Sequence, residues 1–265
     1  MNECYNKSKD DKVGYVEIDL LQEHHLDLLR DFYRRYMKEY FPVEDERESL
    51  DNMLEYLDKK SKGHFGSEGD NYHILLVQHN DEVAGGAVFD YSAKCNCGFL
   101  EYIVIDKAMH GRKRLINEKP DSSEAKKLHH KVVSILENDA KTAHHPVLDA
   151  IIAEMRLDVE DKTPAAGKKR RFFKSLNYKR LDFRYTQPSL FAANGVPVEG
   201  FDLCILTNRR DWENDVLSKD VAMILKEYAR IAMRIVSEND PVIQNMIVQL
   251  NELENQKVLI EEIEA

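Results

Sequence analysis

The sequence predicts an α/β protein in which a mixed, mostly antiparallel sheet is flanked by helices and followed by a helical extension. Three apolar, strand-like runs lie close together between residues 72 and 105 and are joined by connections of hairpin length, which favours antiparallel neighbours. Stretches with apolar residues at spacings of three and four come before and after these runs, which indicates helices on the faces of the sheet. Two more such stretches follow residue 211. We therefore expect a domain over residues 13–206 and a C-terminal helical extension over residues 211–265.

The first part of the chain predicts one strand, two helices and then three strands. Val13 to Asp19 alternates like a short strand. The stretch from Leu20 to Tyr40 has helical spacing and ends before Pro42, and a second amphipathic stretch runs from Glu46 to Lys60. The three strands are predicted at residues 72–78, 82–91 and 99–105.

The rest of the chain continues with helices and strands. Asp121 and Glu124 have the spacing of a capping box, which predicts the start of a long helix that ends near Thr142. The apolar run after Pro146, up to Met155, is short enough for a buried strand. The remaining elements are predicted as a helix at residues 165–176, strands at 178–186 and 201–206, and helices at 220–236 and 241–263.

Composition and charge narrow the class of protein. The 265 residues are 43% hydrophobic and 32% charged, and the formal net charge is −10. No apolar run approaches the roughly 20 residues of a membrane helix, and the negative net charge argues against a broad nucleic-acid footprint, since phosphate binding needs clustered cations. The four cysteines are too few for a disulfide framework, and no residues have the spacing of a closed metal site. We expect a cytoplasmic protein with no membrane partner, no nucleic-acid partner and no metal.

Five segments follow one another in an order that is typical of one superfamily. They are residues 100–106, Leu-Glu-Tyr-Ile-Val-Ile-Asp, and residues 127–141, 150–156, 171–178 and 184–190. In this order they resemble the fourth strand, the long third helix, the fifth strand, the aromatic pair before a strand and a strand ending of some bacterial members of the GCN5-related N-acetyltransferase (GNAT) superfamily. The resemblance covers residues 13–206. It implies transfer of an acetyl group from acetyl-CoA to a primary amine of a small molecule or protein, by direct attack of the amine.

The resemblance also implies where acetyl-CoA would bind. In this family the pantetheine arm lies where the fourth and fifth strands separate, and it pairs with the fourth strand like an added strand. In this sequence its amides would pair with the main chain of Ile103, Val104 and Ile105.

The segment that corresponds to the family's phosphate loop is atypical here. The family binds the pyrophosphate at the start of the third helix, where free N–H groups and the helix dipole favour anions. Residues 110–115, His-Gly-Arg-Lys-Arg-Leu, keep only one glycine of that loop, in a displaced position. Three alternatives remain open. The basic residues bind the phosphates by charge, the serines provide helix-terminal amides and hydroxyls, or the segment is a solvated loop that binds no phosphate. The residues concerned are Arg112, Lys113, Arg114, Ser122 and Ser123.

Three residues are candidates for the chemistry, which needs a base for the amine and an acid for the departing thiolate. Glu101 matches the place where many family members carry a glutamate and is the first candidate for the base. Glu154 lies in an apolar run, where a charge needs a partner or a cavity, so it is a candidate for amine recognition. Tyr185 follows in a predicted strand and would face the pocket. Salt bridges for the carboxylates and packing for the tyrosine are the structural alternatives.

The family's usual acid, a tyrosine in the aromatic pair, is replaced here by Phe173. Phenylalanine cannot donate a proton. Tyr185, Tyr178 or water would then serve as the acid, or the thiolate leaves unassisted, or catalysis is lost. The last alternative describes a GNAT-like protein that works as a binding or regulatory module.

The final helical pattern carries an apolar stripe that something must cover. Its members are Ile243, Met246, Ile247, Leu250 and Leu253. The helices would pack either on their own sheet or on a second copy of the chain. Because a domain complete at residue 206 has limited apolar surface left, we predict a homodimer built partly by these helices.

Overall fold

A mixed sheet of nine strands organises the part of the chain that the computed structural model describes, residues 12–42, 47–106, 124–156, 164–189, 197–235, 239–253 and 255–264. The strands are β1 (Val13–Glu17), β2 (Asn71–His79), β3 (Glu82–Ser92), β4 (Cys97–Ile105), β5 (Ala150–Met155), β6 (Lys179–Leu181), β7 (Asp202–Thr207), β8 (Asp215–Leu217) and β9 (Lys257–Glu262). Their order across the sheet is β1-β2-β3-β4-β5-β7-β6-β9-β8. The β4–β5 pair is parallel and the other described pairs are antiparallel. This confirms the predicted fold class.

Helices cover both faces of the sheet. They are α1 (Glu23–Phe32), which continues through a π-helical turn (Tyr33–Met37) and a last turn (Lys38–Tyr40), α2 (Leu50–Ser61), α3 (Glu124–Thr142), α4 (Pro164–Lys174), α5 (Ser218–Ile231) and α6 (Pro241–Asn251). Helices α3 and α4 pack on one face, and the other four pack on the opposite face. Among the described residues, no helix is both long and apolar enough to cross a membrane.

The hairpins at the centre of the sheet follow directly from the sequence. Asn80 and Asp81 join β2 to β3 with left-handed backbone angles, φ 51° and 66°, which asparagine and aspartate tolerate best after glycine. Asn96, with φ 51°, does the same between β3 and β4. Short turns of this kind bring consecutive strands side by side, so the three predicted strands are antiparallel neighbours.

The C-terminal part differs from the prediction in secondary structure. The helix predicted to reach residue 263 ends at Asn251, and β9 follows it. The strand predicted at residues 178–186 is limited to Lys179–Leu181. Gln256 has φ 51° and turns the chain out of the helical direction, and the main chain of β9 then pairs with β6 and β8. These pairings outweigh the helical tendency of the segment, which local periodicity does not reveal.

The apolar stripe of α6 is covered by its own chain. Ile243, Met246 and Leu250 are buried, Leu250 completely. They belong to a cluster that also contains residues from β4, β5 and β7, for example Phe99 and Ile152. The premise that the sheet has little apolar surface left beyond residue 206 is therefore wrong. Self-association through these helices stays a prediction, but the stripe no longer requires it.

Candidate active site

Strands β4 and β5 separate in the middle of the sheet. Their register pairs run from Cys97 with Ala150 to Leu100 with Ala153. Past these pairs β4 continues to Ile105, while β5 continues along β7 and pairs Glu154 with Leu203. A gap therefore opens beside the second half of β4, and the main chain of that half has no partner on the β5 side among the described residues.

A β-bulge marks the start of this gap. Val88 pairs with Tyr102, whereas the next residue on β3, Phe89, pairs with Leu100, so Glu101 is the extra residue on β4. A bulge redirects side chains that would otherwise alternate. Leu100 consequently packs on the α3–α4 face and Tyr102 on the opposite face, and Glu101 is placed at the point where the strands part.

Main-chain groups on β4 point alternately to β3 and to the gap. The Asp106 amide donates to the Ala84 carbonyl of β3 at 2.9 Å. Gly85 has φ 144°, and a Cβ built there would lie 2.3 Å from the Val104 carbonyl oxygen, so that oxygen also faces β3. Alternation along a strand then directs the main-chain groups of Ile103 and Ile105 into the gap. The main chain of Val104, the third predicted contact, faces the other way.

A cavity of about 220 Å³ lies at this position. Its lining includes Glu101, Tyr102, Glu154, Gln187, Phe201 and Tyr228. The structure thus brings two of the predicted catalytic residues, Glu101 and Glu154, to one cavity that combines carboxylates with aromatic rings.

Glu154 is held by two tyrosines. The Tyr185 hydroxyl donates a hydrogen bond to Glu154 Oε1, and Tyr228 makes a second hydrogen bond to the same carboxylate. Burial raises the pKa of Tyr228 well above its ordinary value, with a further contribution from Glu154, so the phenol keeps its proton. Tyr228 lines the cavity, whereas Tyr185 lies behind Glu154 and is linked to the cavity by its hydrogen bond to that carboxylate.

Tyr228 belongs to α5, which lies outside the segment that resembles the family. Its ring packs edge-on against Phe99, with the ring centroids 5.2 Å apart. In the sequence Tyr228 is one of the apolar residues at helical spacing on the predicted helix 220–236, which favours core packing. Its contact with the cavity depends on the docking of α5 on the sheet, for which local sequence carries no signal.

Glu101 belongs to a buried cluster of charges. Arg234 holds Asp90 with both terminal nitrogens, at 3.1 and 3.3 Å, and its Nη2 lies 3.6 Å from Glu101 Oε1. Burial raises the pKa of Glu101 well above its ordinary value, and a hydrogen bond to Asp90 raises it further. Both effects favour the protonated form of Glu101, and its predicted role as the base stays a prediction.

Arg234 follows the C-terminal end of α5 and is fixed by aromatic rings. Its guanidinium carbon lies 4.2 Å from the ring centroid of Tyr56, 5.1 Å from that of Tyr72 and 5.2 Å from that of Phe65. Its backbone is left-handed, with φ 57°, a conformation that is uncommon for residues other than glycine. The ion pairs and ring contacts offset this strain.

The aromatic pair of α4 does not supply an acid. Phe173 is buried in the core of the α3–α4 face, with its ring 5.4 Å from that of Tyr178. The Tyr178 hydroxyl is engaged with His129 Nε2 at 3.1 Å in the same core. Tyr178 is therefore occupied on the other face of the sheet, whereas Tyr40, Tyr102 and Tyr228 line the cavity.

The predicted phosphate contacts cannot be placed. The residues concerned, Arg112, Lys113, Arg114, Ser122 and Ser123, lie outside the described residues. In the described part of the chain, no group of three or more His, Cys, Asp or Glu residues is arranged to hold a metal ion.

Comparison with known proteins supports the fold. No family model matches the sequence, and no curated protein matches it. The structure matches a solved GNAT-family chain from Bacteroides thetaiotaomicron over 84% of this chain and 99% of that one, with 12% sequence identity and a TM-score of 0.55.

The chain has the GNAT fold.

Two further solved chains match less well. An acetyltransferase from Staphylococcus epidermidis covers 75% of this chain and all of its own, with 10% identity and a TM-score of 0.46. A GNAT-family chain from Desulfovibrio desulfuricans covers 74% of this chain and 99% of its own, with 14% identity and a TM-score of 0.44. The match with a TM-score of 0.55 and 12% identity supports the fold alone, so the function must be argued from the site.

Proposed function

We propose that the protein is an N-acetyltransferase that moves an acetyl group from acetyl-CoA to a primary amine of a small molecule or of a protein. The observation that carries the proposal is the gap between β4 and β5, which starts at the bulge of Glu101 and opens next to a cavity. An interrupted parallel pair in the centre of a sheet exposes main-chain groups that would otherwise be paired, so it is unusual unless a ligand uses them.

The residues at the gap fit the pantetheine arm of acetyl-CoA. Main-chain groups of Ile103 and Ile105 are directed into the gap, where an extended chain with two amides can pair with them. When bound, acetyl-CoA supplies a thioester carbonyl that an amine can attack. Val104 positions these two residues through its own pairing with β3.

The side chains around the cavity provide the remaining roles. Glu101 and Glu154 offer carboxyl groups to the amine of the acceptor. The Tyr228 hydroxyl is protonated and lines the cavity, so it takes the place of the family's tyrosine as the proton donor to the departing sulfur. Tyr185 orients Glu154 from behind.

Calorimetric titration with acetyl-CoA tests the proposal. We expect saturable binding, and we expect replacement of Arg112, Lys113 and Arg114 together by alanine to weaken it by about 1–3 kcal/mol, the range for charge-assisted hydrogen bonds. A control with the exposed Lys59 and Lys62 replaced by alanine should bind like the unchanged protein. Absence of binding at millimolar acetyl-CoA would contradict the proposal and leave the non-catalytic binding module. Unchanged affinity of the triple variant would assign the phosphates to Ser122, Ser123 or the main chain.

A further inference from the structure

One guanidinium faces three carboxyl groups in the interior next to the cavity. Arg234 pairs with Asp90 and Glu101 at the distances given above, and it also interacts with Glu48. The side chain of Asp90 is fully buried and that of Glu101 is 6% exposed. Three ionised carboxylates against one cation would leave two uncompensated charges in a desolvated site, which is too costly to persist. The site must therefore hold protons or take up a further cation.

The contacts favour different protonation states for the three carboxyl groups. Asp90 receives both terminal nitrogens of Arg234, which favours its ionised form, although burial raises its pKa. Glu101 donates a hydrogen bond to Asp90. Glu48 accepts from the Tyr72 hydroxyl at 3.5 Å, and burial raises its pKa to about 7. The other titratable groups that act on Glu101 come from α2, β2, β4 and α5 and are Tyr56, Tyr72, Tyr102 and Tyr228.

One atom of this cluster is available to a ligand. Glu101 Oε1 is buried and makes no hydrogen bond in the described part of the chain, since Arg234 Nη2, at 3.6 Å, pairs with it by charge alone, and Glu101 lines the cavity. A buried oxygen of this kind normally has a donor, so a donor belongs at that place when the site is in use. The N–H groups of a cationic amine meet both needs, since they donate hydrogen bonds and carry the missing positive charge.

We propose that Arg234 and Asp90 are positioning residues: Arg234 favours the ionised form of Asp90, Asp90 accepts a hydrogen bond from Glu101 and so holds it as a neutral acid in the free site, and an entering cationic amine takes the place of the proton of Glu101. The inference rests on the proposed function, which identifies the acceptor as an amine. It assigns control of the protonation state of Glu101 to Arg234, which follows α5 and lies outside the family-like region.

The proton balance has two steps. An ammonium group enters and Glu101 loses its proton to solvent, so the bound pair is an ammonium and a carboxylate with no change of charge in the cavity. Glu101 then accepts a proton from the ammonium, which leaves a neutral amine whose lone pair can attack, next to a neutral acid. One proton is released to solvent for each amine that binds, and none is created or lost.

Calorimetry without acetyl-CoA tests the first step. Butylamine is titrated into the full chain at neutral pH in two buffers of different ionisation enthalpy, and the difference in heat gives the number of protons released. We expect close to one proton per butylamine, none with 1-butanol, and none for the Glu101→Gln variant. Absence of butylamine binding, equal heats in both buffers, or release that persists in the Glu101→Gln variant would overturn the inference.

Variants of the arginine test its role. In Arg234→Met the counter-charge of Asp90 is lost and the cluster holds more protons, so we expect proton release on butylamine binding to require a pH higher by about one unit. Arg234→Lys should restore part of the shift. The matched control is Arg230→Gln, since Arg230 also lies on α5 and pairs with buried carboxylates, Asp70 and Glu227, and it should behave like the unchanged protein.

Two further readouts keep the outcomes separate. If Arg234→Met fails to fold, the carbon-13 chemical shift of the Glu101 carboxyl in the unchanged protein decides the question, and a signal of an ionised carboxylate at neutral pH would overturn the inference. If acetyl-CoA fails to bind while butylamine releases a proton, the proposed function fails and the proton exchange at Glu101 stands.

Discussion

The side chain of His73, on β2, lies between two carboxylates, and this contact predicts that the stability of the fold depends on pH. Its Nδ1 lies 2.7 Å from Glu17 Oε1 and its Nε2 lies 2.8 Å from Asp139 Oδ2. The imidazole is buried and stacks on Phe89, with the ring centroids 4.9 Å apart. Asn71 donates a further hydrogen bond to Asp139 at 2.9 Å. We consider the effect of Asp139→Asn.

The variant removes one partner of a buried ion pair. Burial lowers the pKa of His73, but hydrogen bonds to Asp139 and Glu17 outweigh burial and raise it above its ordinary value. Loss of one partner from a buried pair costs about 3–5 kcal/mol when the other charge is left uncompensated. Glu17 still pairs with His73 in the variant, so we expect a loss at the lower end, about 3 kcal/mol. In a domain of this size each kcal/mol lowers Tm by roughly 2–4 °C, so Asp139→Asn should lower Tm by about 6–12 °C near pH 6.

The sign of the pH dependence follows from the raised pKa. A group with a raised pKa in the folded state stabilises the fold fully below its unfolded pKa, which is 6.5 for histidine, and this contribution is lost as pH rises through the folded pKa. The hydrogen bond from His73 lowers the pKa of Glu17 to about 2, so the contribution of Glu17 is lost as pH falls from about 4.5 towards 2. Stability from this contact is greatest between pH 4.5 and 6.5.

Urea unfolding at a series of pH values checks these statements. The unchanged protein should lose stability on the alkaline side, and the difference from Asp139→Asn should shrink there because His73 is then neutral in both. Asp58→Asn serves as the control, since Asp58 is half-exposed and pairs with Lys62 at the surface. A difference below about 1 kcal/mol near pH 6, or one that stays constant with pH, would refute the reasoning.

Two further predictions concern the helices. Ser49 Oγ caps α2 by accepting a hydrogen bond from the Asn52 amide at 3.1 Å. In urea unfolding, Ser49→Ala should therefore reduce the free energy of unfolding by about 1 kcal/mol, while Ser49→Asp should retain it. Equal losses in both variants would argue against capping. Leu250 is fully buried in the cluster shared by α6 and the sheet, so Leu250→Ala should cost about 2–5 kcal/mol within one cooperative transition. A separate early transition for α6 would show instead that it folds independently.

The sequence predicts the features that depend on neighbouring residues. Turns such as Asn80-Asp81 and the short connections between β2, β3 and β4 determine the central hairpins. Glu154 is also predictable, because a charge within an apolar run needs a special environment, and Glu101 is indicated by the resemblance of its segment to the family's fourth strand. The structure shows that environment to be one shared cavity.

Features that depend on distant residues are not predictable in this way. Arg234 meets Asp90 across 144 positions of sequence, and nothing near either residue indicates the other. Arg234 also lies next to Glu101 and favours its ionised form, whereas burial and Asp90 favour the protonated form, and the local sequence reveals none of these effects. The strand β9 is missed for the same reason, since its partners β6 and β8 lie far from it in the chain.

The place of β9 affects how the protein acquires its fold during synthesis. It lies between β6 and β8 in the sheet although it follows both along the chain. Until residues 257–262 leave the ribosome, the adjoining edges of β6 and β8 have main-chain groups without their final partner, which exposes them to pairing with other chains. Insertion between two existing strands also joins residues of large sequence separation, which slows folding. A nascent chain of this protein therefore depends on β9 to join β8 to the rest of the sheet.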